Sequence, residues 1–168
     1  AEPQPVLEPL IQQRFNSTIH VGNPARLYLH HGADTGSEPF ELLSYHGKGI
    51  DDMVPRMAHV TNERPAEAMK EMLKKRHLAP MWGERHALRP ETEDQMVIRN
   101  APDLFVTGHT HAHQVEWYRG TPLVVSSTFQ NETDFMNMLG YQAKKSRLTV
   151  YNLQNRSTRI VNFQSKAD

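Results

Sequence analysis

The chain carries ten histidines in 168 residues, and three of them fall within five positions. They lie in Thr107-Gly108-His109-Thr110-His111-Ala112-His113, directly after the apolar run Asp103-Leu-Phe-Val-Thr107. That run predicts a strand ending at Gly108. Residues i and i+2 of a strand share a face, so His109 and His111 are expected to project from one side. Gly108 allows the backbone to turn and to approach a ligand closely. Neutral imidazole is the commonest metal ligand, and two on one loop suit a divalent transition ion. The same spacing also suits hydrogen-bonded loop histidines, and both readings stay open. Tyr45-His46-Gly47 repeats the arrangement after a second apolar run, Phe40 to Tyr45. Open α/β sheets place ligands at the carboxyl ends of strands, so His46 could bring a third nitrogen to the same edge. Three imidazoles still leave a two-metal centre short of carboxylates. Asp51 and Asp52 follow closely, but they fit the first turn of a helix, where acids favour the dipole.

The elements that must position these residues can be read from the pattern. Leu10 to Phe15 is expected as a helical turn, and Thr18 to Val21 and Leu27 to His31 as short strands around the turn Gly22-Asn23-Pro24. His31 to Pro39 is all turn chemistry. Ile50, Met53, Val54 and Met57 recur at helical spacing, with Pro55 forcing that helix to be short or kinked. The next helix is expected to be capped by Asn62, with Pro65 in its first turn and Glu71–Lys75 as an i,i+4 pair. Ala66, Met69 and Leu73 mark its buried face. Ala79 to Pro90 reads as a loop and Glu91 to Met96 as a helical turn. Strands are expected at Leu104 to Thr107, at Gln114 to Tyr118 and Leu123 to Ser126 around Arg119-Gly120-Thr121-Pro122, and at Arg147 to Leu153 and Thr158 to Phe163. The fold class is therefore α/β: a mixed sheet with helices, followed by antiparallel hairpins.

Composition bounds the rest. Charged residues make up 23% and the apolar set 38%, the balance of a globular domain. Lys plus Arg and Asp plus Glu are 19 each, so net charge says nothing about nucleic acid. Residues 69–90 nevertheless carry six basic and two acidic side chains, and 142–168 six and one. There are no cysteines, which excludes disulfides and thiolate metal sites. No apolar run reaches the roughly 18 residues of a membrane span, so no membrane role is expected. The start AEPQPVLEPL lacks signal-peptide features. The chain does not begin with Met, so it is expected to be a piece of a longer protein.

A strand-end Gly-His-x-His with an isolated strand-end His upstream resembles the C-terminal half of calcineurin-like metallophosphoesterases. A closer resemblance runs through Ala1-Glu-Pro-Gln-Pro5, Gly22-Asn-Pro24, Tyr45-His-Gly47 with Ile50-Asp-Asp52, and Met69 to Pro80, which ends in Lys-Arg-His-Leu-Ala-Pro. It continues through Leu88 to Asp94, Gly108-His-Thr-His111, and Thr128-Phe-Gln130 with Thr133-Asp-Phe135. In this order the segments resemble the small subunit of the archaeal family D DNA polymerase over nearly the whole chain.

The resemblance implies a calcineurin-like sandwich, of which residues 1–168 would be the C-terminal part of one phosphoesterase domain. It implies a proofreading 3′→5′ exonuclease that hydrolyses phosphodiesters with two divalent ions, of Mn, Mg, Zn or Fe type. His46, His109 and His111 match ligands, and catalytic residues with them. The family's Asp-x-His, Gly-Asp-x-x-Asp and Gly-Asn-His-Asp strings do not occur here, so the upstream metal-binding half is expected to lie outside these residues. The chain alone is then expected to be inactive. Lys74, Lys75, Arg76, His77 and Arg85 could hold a strand's phosphates, and Trp82 could stack a base. The implied partners are the large polymerase subunit and a single-stranded or primer 3′ end, in a cytoplasmic, nucleoid-associated setting. Two alternatives are another phosphoesterase of the superfamily, such as a repair nuclease, and a silent scaffold like the eukaryotic polymerase B-subunits.

Overall fold

The computed structural model describes residue 19 and residues 21–30, 38–81, 92–131 and 143–163. Strands β1 (Ala25–Leu29), β2 (Phe40–Tyr45), β3 (Leu104–Thr107), β4 (Gln114–Tyr118) and β5 (Thr121–Val125) form one mixed sheet in the order β1-β2-β3-β5-β4. Its centre, β2-β3-β5, is parallel, while β1 and β4 run antiparallel at the edges. The crossover from β2 to β3 carries both helices, α1 (Ile50–Met53) and α2 (Pro65–Lys75). Strands β6 (Arg147–Tyr151) and β7 (Thr158–Asn162) pair separately as an antiparallel ribbon.

The period-2 alternation of the central strands builds two layers around the sheet. Leu43, Tyr45, Phe105, Leu123 and Val125 join one buried cluster with Ile50, Met53, Met69, Met72 and Leu73 of the helices. Thr107 joins this side through its hydroxyl, which donates to Met69 Sδ at 3.4 Å. Alternate residues Leu42, Leu104, Val106 and Val124 face the other way. They line an apolar gap whose far wall is Arg147, Leu148, Thr149 and Tyr151 of β6. Tyr151 of that wall also meets Phe40 of β2, with ring centroids 5.8 Å apart.

Several boundaries differ from the sequence expectation for local reasons. Helix α1 stops at Met53 because Pro55 has no N–H with which to continue the ladder. The chain still makes turns at Arg56 and Met57, whose N–H groups donate to Met53 O at 3.0 and 2.9 Å. In α2, Pro65 takes the first position as expected, but Arg64 rather than Asn62 is the cap, with no side-chain cap bond. Glu71 pairs with Lys74 at 2.6 Å instead of Lys75. Arg76 ends the helix in the left-handed region, φ 54°, where its N–H reaches Leu73 and Met72 carbonyls. The β4–β5 turn is two residues, Arg119-Gly120, not four. Both have positive φ, 49° and 89°, the geometry that matches strand twist in a tight hairpin. Residues 92–96 form bends and turns rather than a helical turn, and Val97 bridges His77. Strand β1 lies two residues upstream of the expected Leu27 to His31. Leu10 to Phe15 lies outside the described residues, as does most of Ala79 to Pro90. Of Thr18 to Val21, the described Ile19 and Val21 are not in a strand. Among the described residues no helix is long and apolar enough to cross a membrane.

Candidate functional site

Tyr45 and Thr107 are register partners at the ends of the parallel pair β2–β3, so the residues that follow them emerge side by side. Gly108 N–H donates to His46 O at 3.1 Å. Gly47 sits at φ +105°, and a Cβ there would meet Gly108 O at 2.9 Å and His109 Cβ at 3.4 Å. Only glycine allows both the backbone angle and this approach. The two loops are thereby locked together, and the rings of His46 and His109 lie 4.8 Å apart between centroids, tilted by 50°.

His109 and His111 do not share a strand face as expected, because the strand ends at Thr107. Thr110 N–H closes a turn onto Gly108 O at 2.8 Å. His109 and His111 both take left-handed backbone, φ 66° and 53°. Non-glycine residues there store on the order of 1 kcal/mol or more each, and such strain concentrates at functional sites. His111 is fixed through its backbone, its carbonyl accepting from Lys144 N–H at 3.1 Å. Among the described residues, no three or more His, Asp or Glu side chains converge as a metal group. The expectation of a shared edge is therefore met by His46 and His109, whereas His111 does not complete a three-ligand set with them.

Two residues shape the site that sequence reasoning did not assign to it. Asp51 Oδ2 lies 2.9 Å from His109 Nε2, and the same oxygen accepts from Lys48 Nζ at 3.0 Å. Burial works against a charged Asp51, but the hydrogen bonds from His109 and Lys48 outweigh it and hold the carboxyl down at about 2. A charged carboxylate can only accept, so Nε2 of His109 carries the proton. Asp51 does occupy the first turn of α1, as expected; the fold then turns it onto the histidine loop. Asn23, in the turn before β1, accepts the His46 N–H through Oδ1 at 2.8 Å. The turn signal was legible, but its target was not.

His46 keeps an exposed side, yet partial desolvation between the loops lowers its pKa, with the charges of His109 and Lys48 adding to the effect. This favours the neutral imidazole that ligates ions. The donor type of the two imidazoles fits a divalent transition ion in kind. Their number supplies part of a ligand set only.

His113, by contrast, is 5% exposed and its Nε2 meets Thr149 Oγ1 of β6 at 2.9 Å. Of the expected phosphate-holding residues, Lys74 lies over the Tyr118 ring, 5.9 Å from the centroid. Tyr118 pairs with Thr121 at the amino end of β5, so Lys74 sits at the end of the sheet opposite His109. Arg76 donates to Arg99 O at 3.4 Å, and Lys75 is exposed. The His77 ring is engaged on both sides, by Ala79 N–H at Nδ1 and by Asp94 Oδ2 at Nε2, 3.0 and 2.9 Å. The placement thus takes Lys74 away from the histidine edge and gives the His77 ring a structural task. Trp82 and Arg85 lie outside the described residues.

No family model matches the chain. The chain is similar to the DNA polymerase II small subunit of Archaeoglobus fulgidus, 38% identical over 152 residues, or 90% of this chain and 30% of that protein. It is similar to the subunit of the same name from Thermoplasma acidophilum, 32% identical over 98% of this chain and 32% of that protein. A third relative is that of Methanocaldococcus jannaschii, 37% identical over 91% of this chain and 25% of that protein. The chain thus spans about a third or less of the curated relatives it matches. On these similarities it belongs to the family of archaeal DNA polymerase II (family D) small subunits, matching a part of them.

Proposed function

We propose that this chain is the C-terminal part of a calcineurin-like phosphoesterase domain in a polymerase small subunit, and that it contributes one wall of a 3′→5′ exonuclease site. The observation that carries the reading is the contact between His46 and His109 at the ends of adjacent parallel strands, 4.8 Å between ring centroids. His46, His109 and His111 would hold divalent ions together with carboxylates from the rest of the subunit. Such ions, when bound, supply an activated water and charge stabilisation for phosphodiester cleavage. The chain's own part is to present neutral nitrogens at a fixed spacing, with His46 kept neutral and His109 held in one tautomer. In this reading the partners are the large polymerase subunit and the 3′ end of a DNA strand.

The test uses the full-length small subunit on primers with mismatched 3′ ends. His109→Ala should lower the hydrolysis rate by on the order of 10² or more, the usual loss when one electrostatic contributor is removed. Wild-type rates in that variant would end the catalytic reading. A second reading, a silent structural subunit, is favoured by one observation: no three ligand side chains converge among the described residues. It predicts no metal-dependent hydrolysis by the intact wild-type protein.

A further inference from the structure

We propose that Asp51, braced by Lys48, is the positioning residue of His109: it fixes the tautomer of the ring and is not itself a metal ligand. The inference rests on the reading that His109 ligates an ion, and it names the group that prepares it to do so.

The geometry is specific. One oxygen of Asp51, Oδ2, takes both His109 Nε2 at 2.9 Å and Lys48 Nζ at 3.0 Å. Asp51 reaches that position through a tight turn. Ile50 N–H donates to Gly47 O at 2.9 Å and Asp51 N–H to Lys48 O at 3.1 Å. Gly47 in turn is seated on the Gly108 carbonyl. Carboxylate and ring are therefore placed by the same pair of packed loops. Both side chains keep about a quarter of their surface exposed, 29% and 25%, so the pair is accessible at the surface rather than sealed in the core.

The chemistry follows from the ring's two nitrogens. With Nε2 protonated and given to Asp51, only Nδ1 keeps a lone pair, so His109 can ligate in one way. A carboxylate on the second nitrogen also makes the first more basic, and removing such a partner typically weakens metal binding by 10- to 100-fold. Lys48 serves by occupying the same oxygen and holding the carboxylate in place.

The test measures Mn²⁺ binding to the full-length small subunit, by titration calorimetry for affinity and by electron paramagnetic resonance for the number of ions bound. Asp51→Asn keeps the shape and one acceptor oxygen, so the fold should survive; a thermal melt without metal checks it. The expected result is Mn²⁺ affinity lowered by about 10- to 100-fold with the number of bound ions unchanged. Asp51→Ala should lose more, because Asn can still accept the Nε2 proton. Lys48→Met should lose less than either. Unchanged affinity in Asp51→Asn and Asp51→Ala, with normal binding by wild type, would overturn the positioning role alone. Loss of a whole ion in Asp51→Asn would overturn it in favour of direct ligation. A wild-type protein that binds no Mn²⁺ would overturn the functional reading, and this inference with it.

Discussion

His109 and His113 are four residues apart on one segment, yet the fold puts them to opposite uses. His109 sits on a strained backbone at the sheet's carboxyl edge, beside a second imidazole and a charged carboxylate. His113 leads into β4 and is buried against the ribbon, where Thr149 satisfies its ring. A dense histidine cluster is thus a compositional signal whose members are sorted by partner and burial. The strained, carboxylate-paired residue is presented at the sheet edge with part of its ring exposed, and the buried, hydroxyl-paired one fastens two layers together.

Removing the loop contact that creates the first environment should have the largest effect. Gly47→Val forces a β-branched residue to φ +105° and drives its Cβ to within 2.9 Å of a backbone carbonyl. Both the angle and the contact resist relaxation, so a loss of about 2–3 kcal/mol of stability is expected. Chemical denaturation of wild type and variant measures it. In the full-length subunit the same change should also cut hydrolysis, because His46 and His109 part. A variant with unchanged stability would mean that the loops are not locked through this glycine.

A smaller effect separates the second histidine from the first. His113→Ala removes a buried ring and leaves the Thr149 hydroxyl without that partner. The expected cost is about 1–3 kcal/mol, with near-normal hydrolysis in the intact protein. His109→Ala should show the reverse pattern. Thermal melts run beside exonuclease assays would decide it, and activity lost in His113→Ala without a change in melting would invert the assignment.

How much of this was legible in the sequence depended on whether a local rule governs the feature. Apolar runs ending at a Gly located β2 and β3 to the residue, because central strands covered on both faces need side chains that can be buried on each. Pro65 marked the start of α2 and Pro55 the weakness of α1, since a missing N–H acts wherever it stands. Asn62 failed as a cap because Thr61 and Arg64 close a turn around it, 3.0 Å from N to O. At the site, Gly47 and Gly108 flagged the strand ends and their histidines. The Asp51–His109 pair spans 58 positions, and no local rule reaches that far. The placement of Lys74 was equally hidden, for it depends on α2 lying with its carboxyl end against the β4–β5 turn. The basic run was visible as composition, and its distance from the histidines only as topology.

The smallest expected effect is a pH dependence that distinguishes the two regions. His113 has its pKa lowered, first by burial and then by the nearby charges of Arg147 and Lys144. Its ordinary value is 6.5, so below that pH the unfolded chain takes up a proton that the folded chain resists. Its contribution to stability is therefore fully present above pH 6.5 and is lost as the pH falls through the depressed folded value. Asp51 behaves in the same sense but in another window. Its carboxyl is held at about 2 against an ordinary 3.8, so its contribution is intact above pH 3.8 and is lost as the pH falls through about 2. Stability followed by denaturant titration between pH 7.5 and 5 should thus fall on acidification. His113→Gln should make that slope shallower, because the amide can still reach Thr149 but does not titrate; the part due to His46, whose pKa is also lowered by desolvation, should remain. Asp51→Asn should leave the slope unchanged over the same interval. A slope as steep in His113→Gln as in wild type would assign the neutral-range titration to another group and remove burial of this histidine as a cause.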